Sequence, residues 1–430
     1  MSNNQVLHCD VAVVGSGLAG MAAALYAGKK GLDVVQTGMS GAVAYTTGAM
    51  DILGAVPATE ANPSIEDVDS PKDSYSTFCE IFPEHPYARI DLADVHAAFE
   101  EMMEFLGEYG VRYVFSPEKN LPLVTPAGTL KNTAALPETM IQAAEALNPE
   151  SKCVVIGVEG FKGFSPVQVC VNLAEMGLEW EAVKVRVPYM DGEIFPESLA
   201  RSLEVPAQRE AFAEALKPLL GDAEYACLPA VLGVHGADAA MRHLEELCGV
   251  KFFEIPTMPP GVPGIRLREA FETGLAECNV RAISQSRVTK VEQNEDGFTL
   301  SIKSAASATT IQAKSLLLAT GRFIGGGLIA GRTGVEESLM ELFVAQPEDR
   351  EGWYGTALFD PKGHGIKKAG VVIDDSFRPV DGEGNVYNES LYVAGTILAG
   401  QDWTREKSGA GVALGSAYAA VKNICKKMGK

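Results

Sequence analysis

The sequence predicts an α/β fold in which a parallel sheet is interrupted by a second, inserted α/β domain. Short apolar runs alternate with helix-like runs through the middle of the chain. A strand-like run near the N-terminus leads into a glycine-rich turn and a helix, and two later strands also end in glycines. Alternating strands and helices are typical of parallel sheets, because a crossover helix joins each parallel pair.

The N-terminal turn has the pattern G-x-G-x-x-G at Gly15, Gly17 and Gly20, between the apolar run Val11–Val14 and the helix-like run Met21–Lys30. In a dinucleotide-binding turn, the first glycine permits the tight turn and the second lets a phosphate approach the backbone. The third lets helix and strand pack closely. Free amides and a positive dipole at the helix N-terminus also favour a phosphate. This context predicts nucleotide binding.

The end of the second strand bears on which nucleotide binds. Dinucleotide sites usually place Asp or Glu there, about 20 residues beyond the glycines, to hold the adenosine ribose. In this chain the position falls near Gln36, after the run Leu32–Val35. Glutamine is a weaker partner for a ribose hydroxyl than a carboxylate. The residue therefore favours a mononucleotide flavin, FMN, with FAD as the alternative.

A segment of small and hydroxyl-bearing residues follows at positions 41–51, with the sequence GAVAYTTGAMD. Thr46, Thr47 and Gly48 lie at its centre. Such a loop can lie flat against a flavin ring or its phosphate, with the two hydroxyls as hydrogen-bond donors. It can equally be an ordinary polar turn before a helix, and the residues alone leave both interpretations open.

Two later strands also end in glycine-rich turns. The first runs into Thr320 and Gly321 in LLLATGRFIGGG, and the second runs into Gly395 in LYVAGTILAG. Gly409 and Gly411 then open the last helix. The N-terminus of that helix is predicted to face the N1/C2 edge of a flavin, where its dipole would stabilise the reduced ring.

These signals, at the start, two-thirds along and at the end of the chain, resemble those of two-dinucleotide-binding flavoproteins. We therefore predict a Rossmann-like flavoprotein fold of that type. Its flavin-binding domain is split between 1–57 and 290–430, and an inserted α/β domain occupies 58–289. Within the insertion, Cys153–Val158 and Tyr225–Leu232 are expected to be buried strands, and Pro166–Met176 a helix.

Composition narrows the class of protein. The formal net charge of −20 argues against nucleic acid as a partner, because the chain repels a phosphate backbone. The eight cysteines form no C-x-x-C pair and no cluster with metal-ligand spacing, so no metal is expected. The sequence has neither a secretory leader pattern nor a run long enough to span a membrane, which predicts a cytoplasmic protein.

The chain resembles the family of B subunits of anaerobic glycerol-3-phosphate dehydrogenase. The resemblance covers nearly the whole length and includes VVGSGLAG, TTGAMD, GRFIGGGLIAGRTGVEE and YVAGTILAGQD. Its most distinctive part is IPTMPPGVPGIRL at Ile255–Leu267, which generic flavoproteins lack.

The resemblance implies bound FMN and two partners, an FAD-bearing A subunit and a membrane-bound iron–sulfur subunit. It implies that glycerol 3-phosphate is oxidised to dihydroxyacetone phosphate and that electrons pass to the quinone pool. The chain would then be cytoplasmic and peripheral to the inner membrane through its partner. Two roles stay open, substrate oxidation in this chain or electron relay for the FAD-bearing partner. A nucleic-acid-modifying flavoprotein is a third interpretation that the charge disfavours.

Oxidation of a secondary alcohol needs a base near the hydroxyl and cations near the phosphate. His364 is the candidate base, because it lies on a glycine loop with lysines nearby in PKGHGIKK. Arg266 and Arg332 are the leading candidates to bind the phosphate, and Arg322 also flanks a glycine cluster. The alternative for each is an ordinary loop or ion-pair residue, so the catalytic base stays unknown.

Overall fold

The computed structural model describes residues 5–39, 42–303 and 308–430. Its helices are α1 (Leu18–Lys29), α2 (Pro71–Ile81), α3 (Leu92–Glu108), α4 (Ala143–Ala146), α5 (Pro166–Ala174), α6 (Pro196–Leu203), α7 (Pro206–Leu216), α8 (Ala237–Cys248), α9 (Val262–Glu277), α10 (Trp403–Glu406) and α11 (Gly409–Met428).

The strands are β1 (Gln5–Val14), β2 (Val34–Thr37), β3 (Ala55–Val56), β4 (Glu66–Asp67), β5 (Tyr113–Phe115), β6 (Leu121–Val124), β7 (Leu130–Thr133), β8 (Ala135–Pro137), β9 (Cys153–Val158), β10 (Glu181–Val185), β11 (Tyr225–Pro229), β12 (Lys251–Ile255), β13 (Val280–Ile283), β14 (Arg287–Asn294), β15 (Gly297–Lys303), β16 (Ala308–Leu318), β17 (Leu328–Ala330), β18 (Val335–Glu337), β19 (Val344–Ala345), β20 (Gly370–Val371) and β21 (Leu391–Val393).

The chain divides into two compact units. The first consists of Met1–Ala42, Asp51–Met102 and Phe271–Lys430, and the second of Val43–Met50 and Met103–Ala270. The predicted insertion at 58–289 is longer than the second unit. The prediction placed residues 280–283 in the insertion, but they form β13, which pairs with β2 in the first unit's sheet. The prediction also placed residues near 98 in the insertion, but they belong to the first unit, where the Tyr26 hydroxyl of α1 donates to the Ala98 carbonyl at 2.7 Å.

The first unit is built on a seven-stranded sheet with the order β13-β2-β1-β16-β15-β14, and β21 also pairs with β16. The pairs β13–β2, β2–β1, β1–β16 and β16–β21 are parallel. The strands β15 and β14 extend the sheet in antiparallel fashion and are joined by a hairpin turn at 294–297. This parallel α/β sheet with its antiparallel extension confirms the predicted fold class.

Two helices of the first unit pack closely against each other. α1 is rich in small residues, with the sequence LAGMAAALYAGK, and its residues from Ala19 to Gly28 are all buried. Small side chains permit a close approach to α11, where the rings of Tyr26 and Tyr418 meet edge to face with centroids 5.4 Å apart. The C-terminal helix therefore covers the first helix of the fingerprint.

The second unit contains a parallel sheet of its own, with the order β10-β9-β11-β12. The strand β9 matches the predicted run at 153–158, and all its residues are buried. The crossover helix α5 starts where the sequence signals it, because Ser165 caps it by accepting from the Gln168 amide and Pro166 occupies its first turn. Across the described residues, no helix combines the length and apolar character needed to cross a membrane.

Candidate functional site

Three glycine-rich turns meet at one edge of the first unit's sheet. The parallel strands β1, β16 and β21 are neighbours and end at Val14, Leu318 and Val393. Their next residues lead into Gly15, into Thr320 and Gly321, and into Gly395. The carboxyl ends of parallel strands are where α/β folds bind ligands. The structure thus brings together the three signals that the sequence showed far apart.

Gly15 and Gly20 are needed for packing. Gly15 has a φ of +137°, and a Cβ built on it would overlap the carbonyl oxygen of Ala319 at the end of β16. A Cβ on Gly20 would in turn overlap the carbonyl oxygen of Gly15. The first glycine therefore lets β1 and β16 end side by side, and the third lets α1 start directly against the turn.

Gly17 is different, because it faces open space. No atom of the described chain lies within 4 Å of a Cβ built on it. It is the N-cap residue of α1, with a φ of −80°, and no side chain of the described residues caps this helix. The first-turn amides of α1 have no intrahelical acceptor. The turn therefore offers both the room and the donors that a phosphate needs, which fits a nucleotide cofactor.

Gln36 supports the turn. Its side chain is buried, and Nε2 donates to the carbonyl oxygen of Gly15 at 2.8 Å. The glutamine at the end of β2 is thus explained by the shape of the loop. Its presence in place of an acid carries no information about an adenosine half, which removes the physical argument for FMN.

Thr320 and Gly321 form a second compact turn. Gly325 and Gly327 fold back onto Thr320, and a Cβ on either would overlap an oxygen atom of that residue. The Thr320 hydroxyl is buried and has no hydrogen-bond partner among the described residues. A buried hydroxyl without a partner is costly, so this atom is a candidate to bind a ligand at the edge of the sheet.

The turn after β21 is fixed from both sides. Gly395 has a φ of +83°, and a Cβ built on it would lie 2.6 Å from the Cβ of Ala19 in α1. Its amide donates to the Ser416 hydroxyl of α11 at 2.8 Å, and its carbonyl accepts from Gln401 at 3.2 Å. This glycine lets the turn lie directly on the first turn of α1.

Arg322 holds the same loop and is not free to bind a substrate phosphate. Its guanidinium donates to the carbonyls of Thr396 at 2.7 Å and Gln401 at 2.9 Å, and to that of Lys367. Burial lowers the pKa of Arg322 to about 10, while the nearby acids partly oppose that shift. The side chain thus connects the second glycine turn to the third.

The start of α11 is held by contacts within the chain, and its facing a flavin stays a prediction. The Gly411 amide donates to the carbonyl oxygen of Asp51 at 2.6 Å. A Cβ on Gly411 would overlap the hydroxyl of Tyr87, and a Cβ on Gly409 would lie 3.2 Å from the Trp403 ring. Both glycines are therefore explained by packing, and the Gly411 amide is already bonded within the protein.

A buried histidine–carboxylate hydrogen bond beneath this helix start was not predicted. His85 is fully buried and accepts from the Tyr87 amide at Nδ1, so its Nε2 carries the proton and donates to Glu406 at 3.2 Å. Burial raises the pKa of Glu406, but His85, the Asp402 amide and the Ser408 hydroxyl more than offset it, and the net pKa is lowered. These contacts fix the segment that opens α11.

The segment with Thr46, Thr47 and Gly48 lies in the second unit, and residue 41 lies outside the described residues. The Thr46 hydroxyl accepts from the Gly48 amide at 3.1 Å. The Gly48 carbonyl accepts from the hydroxyl of Tyr113 at 2.7 Å, and a Cβ on Gly48 would press on Pro263 at 3.0 Å. These contacts explain the small residues as a packed turn, and a role in cofactor binding stays a prediction.

Arg266 is buried in the second unit and paired with a carboxylate. Two of its nitrogens donate to the two oxygens of Glu254 at 2.6 and 2.9 Å, and Nε donates to the Gly233 carbonyl at 2.8 Å. Burial raises the pKa of Glu254, but the Arg266 charge and the donors around it outweigh burial and lower the pKa overall. A substrate phosphate at this arginine would have to compete with Glu254.

The other two candidates lie on loops. Both ring nitrogens of His364 are engaged, because Nδ1 accepts from the Gly355 amide and Nε2 lies 3.1 Å from the Leu358 carbonyl. The histidine therefore organises its own loop. Arg332 is exposed at the tip of the hairpin formed by β17 and β18. Among the described residues neither has a catalytic partner, and both roles stay predictions.

Comparison with known proteins supplies the family. The family model described as "FAD binding domain" matches residues 10–412. The B subunit of anaerobic glycerol-3-phosphate dehydrogenase from Yersinia pestis bv. Antiqua (strain Antiqua) is 28% identical over 429 residues, with 97% of this chain and 98% of that protein covered. The protein of the same name from Aliivibrio fischeri (strain ATCC 700601 / ES114) is 28% identical over 448 residues, with coverages of 98% and 96%.

Among solved structures, the 3-ketosteroid delta1-dehydrogenase from Sterolibacterium denitrificans aligns with 98% of this chain and 100% of its own. The identity is 12% and the TM-score is 0.43. A superposition this loose adds nothing to the fold description, which rests on the strand order and the glycine turns.

The prediction of FMN as first choice is not supported, because the matched family is described by FAD and Gln36 is accounted for by the Gly15 carbonyl. The expectation of a flavin is confirmed. Along nearly its whole length the chain is similar to the B subunit of anaerobic glycerol-3-phosphate dehydrogenase. The chain belongs to the FAD binding domain family of flavoproteins.

Proposed function

We propose that the chain is an FAD-dependent subunit of an anaerobic glycerol-3-phosphate dehydrogenase. The complex would oxidise glycerol 3-phosphate to dihydroxyacetone phosphate and pass the electrons toward the quinone pool. The observation that carries the cofactor assignment is the open face of Gly17 at the uncapped start of α1, where three glycine turns meet. The names of the full-length relatives support the substrate class.

In this proposal the residues of the first unit bind and orient the cofactor. The amides that follow Gly17 would bind the pyrophosphate, and Gly15 and Gly20 keep the turn tight enough to present them. Arg322 and Ser416 fix the turn at Gly395. When bound, FAD would accept the hydride, which carries both electrons, from the alcohol carbon.

The cofactor assignment is tested with Gly17→Glu. A Cβ at this position has no described atom within 4 Å beyond its chain neighbours, so the fold should persist, while the carboxylate brings a negative charge to the place of a phosphate. We expect the purified variant to lack flavin absorbance and to keep its circular dichroism spectrum. The matched control is Gly107→Glu, which also enters open space, in α3. Full flavin occupancy in Gly17→Glu would refute the assigned site.

A second candidate role is electron relay for a catalytic partner. The engaged ring nitrogens of His364 and the pairing of Arg266 with Glu254 favour it, because neither candidate is free for the substrate. In this role the isolated chain oxidises glycerol 3-phosphate poorly. An assay with an artificial acceptor separates the roles, since turnover of about 10 per second, ordinary for an enzyme, would exclude a pure relay.

The proposed partners follow from the same resemblance. They are an FAD-bearing A subunit and a membrane-bound iron–sulfur subunit, through which the chain would be peripheral to the inner membrane. The relatives are named as one part of a multi-subunit dehydrogenase, which supports partners of some kind. A nucleic-acid substrate stays disfavoured by the net charge of −20.

A further inference from the structure

A cavity lies within the first unit and is separate in its residues from the glycine turns at Gly15, Gly17 and Gly20. Its volume is about 360 Å³. Four stretches of chain line it, within 84–89, 345–347, 365–373 and 399–400. Ligand pockets in proteins typically run from about 300 to 1,000 Å³, so this one has room for a small organic molecule.

Most of the cavity wall is apolar. Pro86, Pro347, Val371 and Ile373 are among the residues that line it. The amide group of Gln346 also lies at the wall, but both of its polar atoms are bonded to the backbone of Val335. The wall therefore offers carbon surface to the body of a ligand, and few polar side chains remain to orient it.

One polar group that lines the cavity is the guanidinium of Arg89. Its Nε is buried and has no hydrogen-bond partner among the described residues. The carboxylate of Asp375 lies 3.8 Å from this Nε and its side chain is 99% exposed, whereas the Arg89 side chain is 22% exposed. A partly buried guanidinium with an unmatched donor is an energetic liability that an anion in the cavity would remove.

Two further charges select the kind of anion. Lys368 also lines the cavity, with its Nζ 5.5 Å from the centre of the Phe82 ring, and adds a second cation. Glu84 lines the cavity as well and carries the opposite charge. Two cations share the cavity wall with this carboxylate, and the exposed Asp375 also lies 3.8 Å from Arg89, so a singly charged anion is matched better than a doubly charged phosphate. Arginine binds carboxylates through paired donors.

We propose that this cavity binds a small monocarboxylate with an apolar body. The carboxylate would accept from Arg89, with Lys368 nearby, while the body packs against the prolines and aliphatic side chains of the wall. The proposal stands on these residues alone and does not depend on the proposed dehydrogenase activity.

Isothermal titration calorimetry on the full chain tests the proposal, with phenylacetate and inorganic phosphate as separate probes. We expect phenylacetate to bind the parent chain and phosphate not to displace it. Arg89→Gln should weaken phenylacetate binding by about tenfold or more, the usual loss for a hydrogen bond between charged groups. The control Lys362→Gln removes an exposed cation that does not line the cavity, and should bind as the parent does.

Three results would overturn the proposal. These are no phenylacetate binding by the parent chain, equal affinity in Arg89→Gln, or displacement of phenylacetate by phosphate. Lys368→Gln keeps the test decisive if Arg89→Gln fails to fold, because Lys368 is exposed and its replacement spares the core. That variant should also bind phenylacetate more weakly than Lys362→Gln, and equal binding would count against the site.

Discussion

The two parallel sheets end in opposite ways. In the second unit, the end of β12 is occupied by the chain itself, because Glu254 binds Arg266 and also accepts from the Leu232 amide at 2.7 Å and the Thr139 hydroxyl at 2.6 Å. In the first unit, the strands end in glycine turns, and the space at Gly17 contains no described atom within 4 Å of the missing Cβ. A buried ion pair fills the sheet end in the second unit, whereas the sheet end in the first unit has room for a ligand.

This difference separates stability from binding. A buried, fully bonded ion pair contributes little net stability compared with apolar packing, but loss of one partner leaves a charge stranded in the core. A glycine that faces open space contributes almost nothing to packing, so its replacement acts mainly on whatever ligand fills that space. Substitutions at the end of the second unit's sheet should therefore destabilise the fold, whereas those at Gly17 should mainly reduce ligand binding.

The largest effect is expected for Arg266→Met. The substitution keeps most of the side-chain volume but leaves Glu254 buried without its cation, which should lower the free energy of unfolding by about 3–5 kcal/mol. The measurement is urea denaturation followed by circular dichroism. The control Arg186→Met breaks the exposed pair with Asp191 and should cost at most about 1 kcal/mol. Similar losses in both variants would contradict the contrast drawn between the sheet ends.

An intermediate effect is expected for Gly20→Ala, in the first unit. The added Cβ would overlap the Gly15 carbonyl oxygen, a backbone atom that cannot rotate away. Overpacking of this kind typically lowers stability by about 1–3 kcal/mol. Gly107→Ala, which enters open space in α3, should instead raise it by up to about 1 kcal/mol through helix propensity. Thermal and urea unfolding of the flavin-free variants would show whether the two signs are opposite.

The sheet and its glycine turns were predictable because they rest on local patterns. The strand β16 continues through Lys314, because the side chain of Lys314 points outward to Asp10. α2 was not predicted, although Ser70 and Pro71 signal its start and Ser70 does cap it. The preceding acidic, proline-bearing run at 57–70 is typical of a loop, so the capping signal at its end was not recognised as a helix start.

The buried side-chain pairs could not be predicted in the same way. Glu254 and Arg266 are 12 residues apart on a strand and a helix, and His85 and Glu406 are 321 residues apart. Such pairs depend on tertiary packing, which no local pattern encodes. For the same reason Arg266 looked free for a substrate when only its neighbours in the sequence were considered. The glycine turns, in contrast, are specified by residues close together in the sequence, so a local pattern reveals them.

The smallest effect on stability, and the sharpest test of the open end, is expected for Gly17→Ser. Gly17 is the N-cap of α1 and has no side chain to cap it, so a serine hydroxyl can accept from the first-turn amides and raise the stability of the flavin-free chain by roughly 0.3 kcal/mol. The same amides are those that a cofactor phosphate would need. Serine should therefore weaken flavin binding while it stabilises the flavin-free chain, so the two measurements move in opposite directions. Calorimetric melting of the flavin-free chain and fluorescence titration with FAD give both values, and an unchanged FAD affinity would mean that the phosphate lies elsewhere.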